Sequence, residues 1–221
     1  MPAALFDLDG TLIDTYDAHH AAWRSACAKH DIDLTPEMFA WSFGRTNPAI
    51  ISRLWPDHGF PMPTDAEMAA IADEKESEFR AELDRHFPAM NGVPELLRDL
   101  RDAGWRIAIG TSAPQENLDL AIDRLGIADL VDATVCGTEV THGKPDPEVF
   151  LKAAERTGTQ PSQCVVVEDA GAGIDAGKAG GMRTIGLVST GRTHDELAHA
   201  DLVVERFDQL TLQHFTALVG S

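Results

Sequence analysis

Four short stretches hold residue types whose spacing could support chemistry. The first is Asp7-Leu8-Asp9-Gly10-Thr11-Leu12-Ile13-Asp14, directly after the apolar run Ala3-Ala4-Leu5-Phe6. Side chains on a strand alternate with period two, so Asp7 and Asp9 point the same way while the strand stays regular. Two carboxylates that close repel each other unless a divalent cation, a shared proton or backbone N–H groups absorb the charge. Gly10 then allows a sharp turn and a close backbone approach to a ligand. Alone, an Asp-x-Asp pair reads equally well as a solvated turn or a helix cap. The second stretch is Gly110-Thr111-Ser112-Ala113. Hydroxyls and open N–H groups at a helix start suit a phosphate oxygen, although a Ser or Thr there is also an ordinary cap. The third is Gly143-Lys144-Pro145-Asp146-Pro147. A lysine between Gly and Pro, ahead of a helix, can pair with a carboxylate and a phosphoryl oxygen together; its plainer reading is a surface loop lysine. The fourth is Val165-Val166-Val167-Glu168-Asp169-Ala170-Gly171-Ala172-Gly173, where an acidic pair again ends an apolar run.

The elements that must position these residues follow from the pattern of short apolar runs. Runs at 3–6, 106–110, 133–136, 164–167 and 184–188 are bounded by Gly and Asp and read as strands buried on both faces. Between the later runs, helices begin near Pro94, Pro114 and Pro147 and close at Gly104, Gly126 and Gly158. Repeated β-α units predict an α/β fold, a Rossmann-like parallel sheet with helices on both faces. Ligands bind such sheets at the carboxyl ends of the strands, and all four motifs fall there. Carboxylates at two strand ends on one sheet edge form a hard oxygen site suited to Mg²⁺. Gly171-x-Gly173-x-x-Ala176 also fits the dinucleotide fingerprint. Glu168 and Asp169 would then face a pyrophosphate without compensation, and no acidic residue ends the next strand to take a ribose, so that reading is set aside.

From Tyr16 to His86 the pattern is helical, with Asn47-Pro48 read as an N-cap and first position and Thr64-x-x-Glu67 as a capping box. This gives a small α-helical cap domain, 16–86, inserted into a core of 1–15 and 87–221. An insertion at that point lies over the strand ends and would act as a lid.

The chain has 221 residues and a formal net charge of -18, from 18 Lys+Arg against 36 Asp+Glu. That balance repels nucleic acid and anionic membrane, so neither is an expected partner. No apolar run approaches a membrane span, and the N-terminus does not read as a signal peptide. Cys27, Cys136 and Cys164 have no metal-ligand spacing and read as reduced buried thiols in a cytoplasmic protein. A monomer is the working expectation.

Taken together and in order, the Asp-x-Asp-Gly-Thr, hydroxyl, Lys-Pro and Glu-Asp motifs resemble the haloacid dehalogenase superfamily. The resemblance covers most of the chain, and the helical insert stands where that family carries its cap. It implies a Mg²⁺-dependent phosphatase acting on a small phosphorylated metabolite. Asp7 would be the nucleophile that forms an aspartyl-phosphate, and Asp9 the general acid and then base. Thr111 and the Ser112 backbone would hold phosphoryl oxygens beside Lys144, with Gly10 close by. Asp7, the Asp9 carbonyl and Asp169 would bind Mg²⁺, with Glu168 in support.

Within the superfamily, dehalogenases lack the second Asp, which Asp9 supplies here. The Schiff-base lysine of phosphonoacetaldehyde hydrolases has no counterpart, since Lys29 and Lys75 are the only lysines in 16–86 and neither lies in the loop expected to face the site. The closest resemblance is to the group of β-phosphoglucomutase and small sugar-phosphate phosphatases, through Asp14-Thr15-x-x-x-His19-x-x-x-Trp23. Mutases of that group grip a second phosphate with a cap-loop arginine and carry two lysines, one in the cap loop and one after the second motif. Here Trp41-Ser42-Phe43-Gly44-Arg45-Thr46-Asn47 and Pro114-Gln115-Glu116-Asn117 carry neither, which favours a phosphatase over a mutase. His19, Arg45 and Asn47 are the candidate substrate contacts from the cap.

Overall fold

A computed structural model describes residues 1–220. In chain order the elements are β1 (Ala3–Phe6), α1 (Tyr16–Ala28), α2 (Pro36–Ser42), α3 (Asn47–Asp57), α4 (Asp65–Arg85), α5 (Val93–Asp102), β2 (Arg106–Gly110), α6 (Gln115–Leu125), β3 (Ala133–Val135), α7 (Glu148–Thr157), β4 (Cys164–Glu168), α8 (Gly171–Ala179), β5 (Arg183–Leu187), α9 (His194–Leu197), β6 (Leu202–Val204) and α10 (Leu212–Val219). They form two compact units, 1–14 with 89–221, and 15–88.

The first unit is a six-stranded sheet in the order β3-β2-β1-β4-β5-β6, and every pairing is parallel. β1 is central because all four of its residues are apolar and buried, which suits a strand covered on both faces. Its side chains alternate between them. Leu5 packs with Val149, Phe150 and Ala153 of α7, while Phe6 meets Phe207 and Phe215 at ring separations of 6.3 and 6.1 Å. The strand order turns back between β1 and β4, so the crevice outside their carboxyl ends is the place where such sheets bind ligands.

The sheet has one strand more than the five expected. β6 is three residues long and only Val204 of it is buried. Its run Leu202-Val203-Val204 is apolar, but three residues are too few to set a strand apart from a loop.

The second unit is four helices, α1 to α4, around Trp23, Phe39, Ile50, Ile51, Leu54 and Trp55. The capping box of α4 forms as expected: the Thr64 hydroxyl accepts from the Glu67 N–H, and the Glu67 carboxylate accepts from the Thr64 N–H at 2.8 Å. The expected cap of α3 is displaced by one residue. Thr46, in extended conformation, stands at the N-cap, and Asn47 is the first helical residue. The Asn47 amide is instead drawn to Glu76 of α4.

All three cysteines are free and buried. Burial pushes the Cys27 thiol up to about 11 and Cys164 up to about 12, which leaves both inert as nucleophiles. No helix among the described residues is long and apolar enough to cross a membrane.

Candidate active site

The loop after β1 begins while the sheet still holds it, since the Asp7 N–H donates to the Val167 carbonyl of β4 at 3.0 Å. The chain then folds over one carbonyl. The N–H groups of Thr11, Leu12 and Ile13 all point to the Leu8 oxygen, at 3.2, 2.9 and 3.2 Å. Gly10 makes the turn with a φ of +82°, a conformation that a Cβ disfavours. A Cβ at Gly10 would also overlap the Asp169 carboxylate, so this glycine lets the loop lie against the end of β4. Asp7 and Asp9 are 5% and 8% exposed.

The β4 end brings the second acidic pair. Lys144 reaches in from the loop before α7, with its Nζ 2.5 Å from both Asp7 Oδ1 and Glu168 Oε1. It also lies 4.8 Å from the centre of the Phe150 ring. The other Glu168 oxygen accepts from the Ala170 N–H at 2.9 Å. Gly173, one turn along, is small because a Cβ there would overlap the Glu168 carboxylate. Asp169 Oδ2 accepts from the Ser189 hydroxyl at 3.1 Å and from Arg192 Nε at 3.3 Å. At the end of β2, the Thr111 hydroxyl accepts from the Ala113 N–H at 3.0 Å and keeps its own proton available to donate. Gly137 fits against the Ser112 carbonyl, where a Cβ would collide. The Thr11 hydroxyl oxygen is buried and has no hydrogen-bond partner.

Charge in this crevice is unbalanced. Asp7, Asp9, Glu168 and Asp169 are all nearly buried, and so is Lys144; the Arg192 side chain is 10% exposed. Burial is the main reason the Asp7 carboxyl lies well above its usual range. The neighbouring Glu168 and Asp169 add to the effect and Lys144 opposes it. Burial likewise pushes Asp169 up to about 7, with Glu168 adding and Arg192 opposing. Lys144 moves upward although burial disfavours its charge, because Asp7 and Glu168 outweigh that cost. Asp7, Glu168 and Asp169 offer oxygens that all lie within 4.8 Å of one another. The donor set is hard carboxylate oxygen with excess negative charge, which fits a cation such as Mg²⁺.

The first unit thus gathers Asp7, Lys144, Glu168 and Asp169 into direct contact or close approach, with Asp9, Gly10, Thr111 and Ser112 on the flanking strand ends. Sequence reasoning missed Ser189 and Arg192. They follow β5 at the same sheet edge, so the strand-end argument applied to the other motifs would have reached them.

The candidates from the second unit divide. His19 of α1 stacks on Phe79 at 3.9 Å, and its Nδ1 lies 2.8 Å from Lys75 Nζ. Lys75 is 1% exposed and also donates to Glu76 Oε1 at 2.7 Å; Asn47 donates to the same oxygen at 2.8 Å. Burial opposes the Glu76 charge, yet Lys75, His19 and Asn47 overcome it and hold the carboxyl at about 2. His19 and Asn47 therefore meet in one buried polar cluster with Lys75 and Glu76, two residues not chosen from the sequence. Arg45 stands apart from it, with its guanidinium 4.6 Å from the centre of the Trp41 ring and Nε on the Trp41 carbonyl.

Comparison with known proteins gives this arrangement a context. A family model described as haloacid dehalogenase-like hydrolase matches residues 1–181. The chain is 32% identical over 221 residues to validoxylamine A 7'-phosphate phosphatase of Streptomyces hygroscopicus subsp. limoneus, covering 96% of each chain. It is also 32% identical over 216 residues to β-phosphoglucomutase of Bacillus subtilis (strain 168), covering 96% of this chain and 93% of that one. Among solved structures, β-phosphoglucomutase from Clostridium difficile superposes with a TM-score of 0.91 at 26% identity, over 100% of this chain and 97% of its own. The parallel sheet, the acidic crevice at the β1 and β4 ends and these full-length matches agree: the chain belongs to the haloacid dehalogenase-like hydrolase family.

Proposed function

We propose that the protein is a Mg²⁺-dependent phosphatase that hydrolyses a small phosphomonoester, such as a sugar phosphate, through an aspartyl-phosphate on Asp7. The observation that carries this reading is the Asp7 carboxylate, at the end of a buried strand and in contact with Lys144 beside Glu168 and Asp169. In this reading 1–15 and 87–221 form the catalytic core, and 16–86 is the cap domain that selects the substrate.

An Asp7 oxygen attacks phosphorus and the ester P–O bond breaks. Asp9, protonated, gives its proton to the leaving oxygen. A water then attacks the acyl phosphate, Asp9 takes back a proton from it, and inorganic phosphate leaves with Asp7 restored. Splitting the transfer in this way replaces one difficult step with two easier ones. Thr111 and the Ser112 N–H donate to the phosphoryl oxygens. Lys144 pairs with Asp7 and lowers the repulsion between two approaching anions, and its contact with Glu168 fixes its position. Asp7, the Asp9 carbonyl and Asp169 would hold Mg²⁺, which would supply further positive charge against the same repulsion. Each positive charge also draws Asp7 back toward its ionised, nucleophilic form.

A phosphosugar mutase is the second reading, and the full-length likeness to β-phosphoglucomutase favours it. The positions where a second phosphate would need cations argue against it: Phe43-Gly44-Arg45 and Pro114-Gln115-Glu116 contain no lysine, and Arg45 lies on Trp41.

The test is phosphate release from p-nitrophenyl phosphate and a panel of small phosphate esters, with Mg²⁺ or with EDTA. Release is expected only with Mg²⁺, and Asp7→Asn should lower kcat by roughly 10³-fold or more. Conversion of β-glucose 1-phosphate to glucose 6-phosphate without net release would replace the phosphatase reading with the mutase.

A further inference from the structure

The two cations of the acidic crevice divide its carboxylates between them. Lys144 serves Asp7 and Glu168. Asp169 has a different partner, Arg192, which comes from the turn after β5. Arg192 donates through Nε at 3.3 Å to the same Asp169 oxygen that the Ser189 hydroxyl contacts at 3.1 Å. The carboxylate is 1% exposed and the arginine side chain 10%, so water screens this pair weakly. Gly191, with a φ of +78°, sits inside the turn that places Ser189 and Arg192 on Asp169.

We propose that Arg192 is a built-in counter-cation that competes electrostatically with the divalent ion for Asp169, and so sets the metal affinity of the site. It acts through Asp169 and is a positioning residue. A guanidinium on one oxygen draws charge from the carboxylate and adds a fixed positive charge beside the ion's place. Both effects lower the affinity of any divalent cation that uses Asp169. The same guanidinium stabilises the buried carboxylate in metal-free protein. Loss of Arg192 therefore has effects of opposite sign: the metal-free fold weakens and the metal binds more tightly. An arginine with a packing role alone would weaken both forms together. The inference rests on the Mg²⁺ site of the proposed reaction.

The experiment measures Mg²⁺ binding by titration calorimetry, and melting temperature in EDTA and in saturating Mg²⁺, for the parent, Arg192→Gln and Arg192→Lys. Expected for Arg192→Gln is a lower melting temperature in EDTA, a larger rise on adding Mg²⁺, and a Mg²⁺ Kd smaller by about tenfold. Arg192→Lys retains the charge and should stay within about twofold of the parent Kd. If Arg192→Gln does not fold in EDTA, recovery of structure on adding Mg²⁺ supports the same linkage, and failure to recover overturns it. An unchanged or larger Kd, with melting temperatures lowered equally in both conditions, also overturns it. A parent protein that neither binds Mg²⁺ in the calorimeter nor gains stability from it removes the metal site itself. That result is distinct from a bound metal indifferent to residue 192.

Discussion

At the scale of residues, both units bury charge, but they balance it differently. In the helical unit Lys75, His19 and Asn47 all serve Glu76, whose carboxyl is held at about 2 against an ordinary 4.5. A folded pKa below the unfolded one means that the native state binds fewer protons between the two values. The stabilisation is then complete above about pH 4.5 and is lost as pH falls toward 2. Glu76→Gln should lower stability at pH 7 by about 3 kcal/mol, and it leaves the buried Lys75 without its carboxylate. Urea unfolding of both proteins from pH 7 to pH 2 should show the gap closing below about pH 4.5; a gap independent of pH would contradict this account. The cluster was only half legible in the sequence. His19 and Asn47 stood out by motif position, but their meeting with Lys75 and Glu76 joins helices far apart in the chain, and no local spacing records it. The acidic crevice was more legible because each of its groups ends a strand. Ser189 and Arg192 escaped since a Ser-Thr-Gly-Arg turn holds no acidic pair or glycine fingerprint, and only its place after β5 marks it.

At the scale of elements, the precision of the crevice depends on how closely α8 approaches the end of β4. Gly173 lies in the first turn of α8, against the Glu168 carboxylate. Gly173→Ala forces a methyl into that contact, so the carboxylate must move, and the Lys144 ammonium it holds moves with it. An overpacked site of this kind costs about 1–3 kcal/mol, while an ångström of displacement at a reacting group costs about 10²-fold in rate. The variant should fold, melt a few degrees lower, and lose roughly 10²-fold in kcat with KM little changed; full activity in steady-state kinetics would show that Glu168 does not position Lys144. The sequence marked this glycine, and Gly171, as a possible nucleotide fingerprint before the acidic pair argued for helix packing. Strand positions were legible wherever β-branched runs were continuous, as in Cys164–Glu168. The three-residue β6 and the first residue of α3 were not, because so short a run carries no period and a tertiary contact of Asn47 overrode the second.

At the scale of the whole molecule, the chain leaves the sheet after one strand, builds four helices and returns to complete the remaining five strands. The departure and return are joined by backbone pairing. Ile13 bridges Ala89, and the Met90 N–H donates to the Leu12 carbonyl at 3.0 Å. Every strand pairing and all the acidic groups of the crevice lie in the unit outside 15–88. Replacing 15–88 with a short glycine-rich turn should therefore leave a core that unfolds cooperatively, since closing a shorter loop costs less entropy. Circular dichroism and a thermal melt of that variant would check it, and a molten product without a transition would show that the sheet needs the helices to fold. The bridge makes the insertion point a socket. A foreign helical module with its two ends a bridge apart could be grafted there without altering one strand register. The two units are in that sense separately heritable, and one can be redesigned while the other is kept.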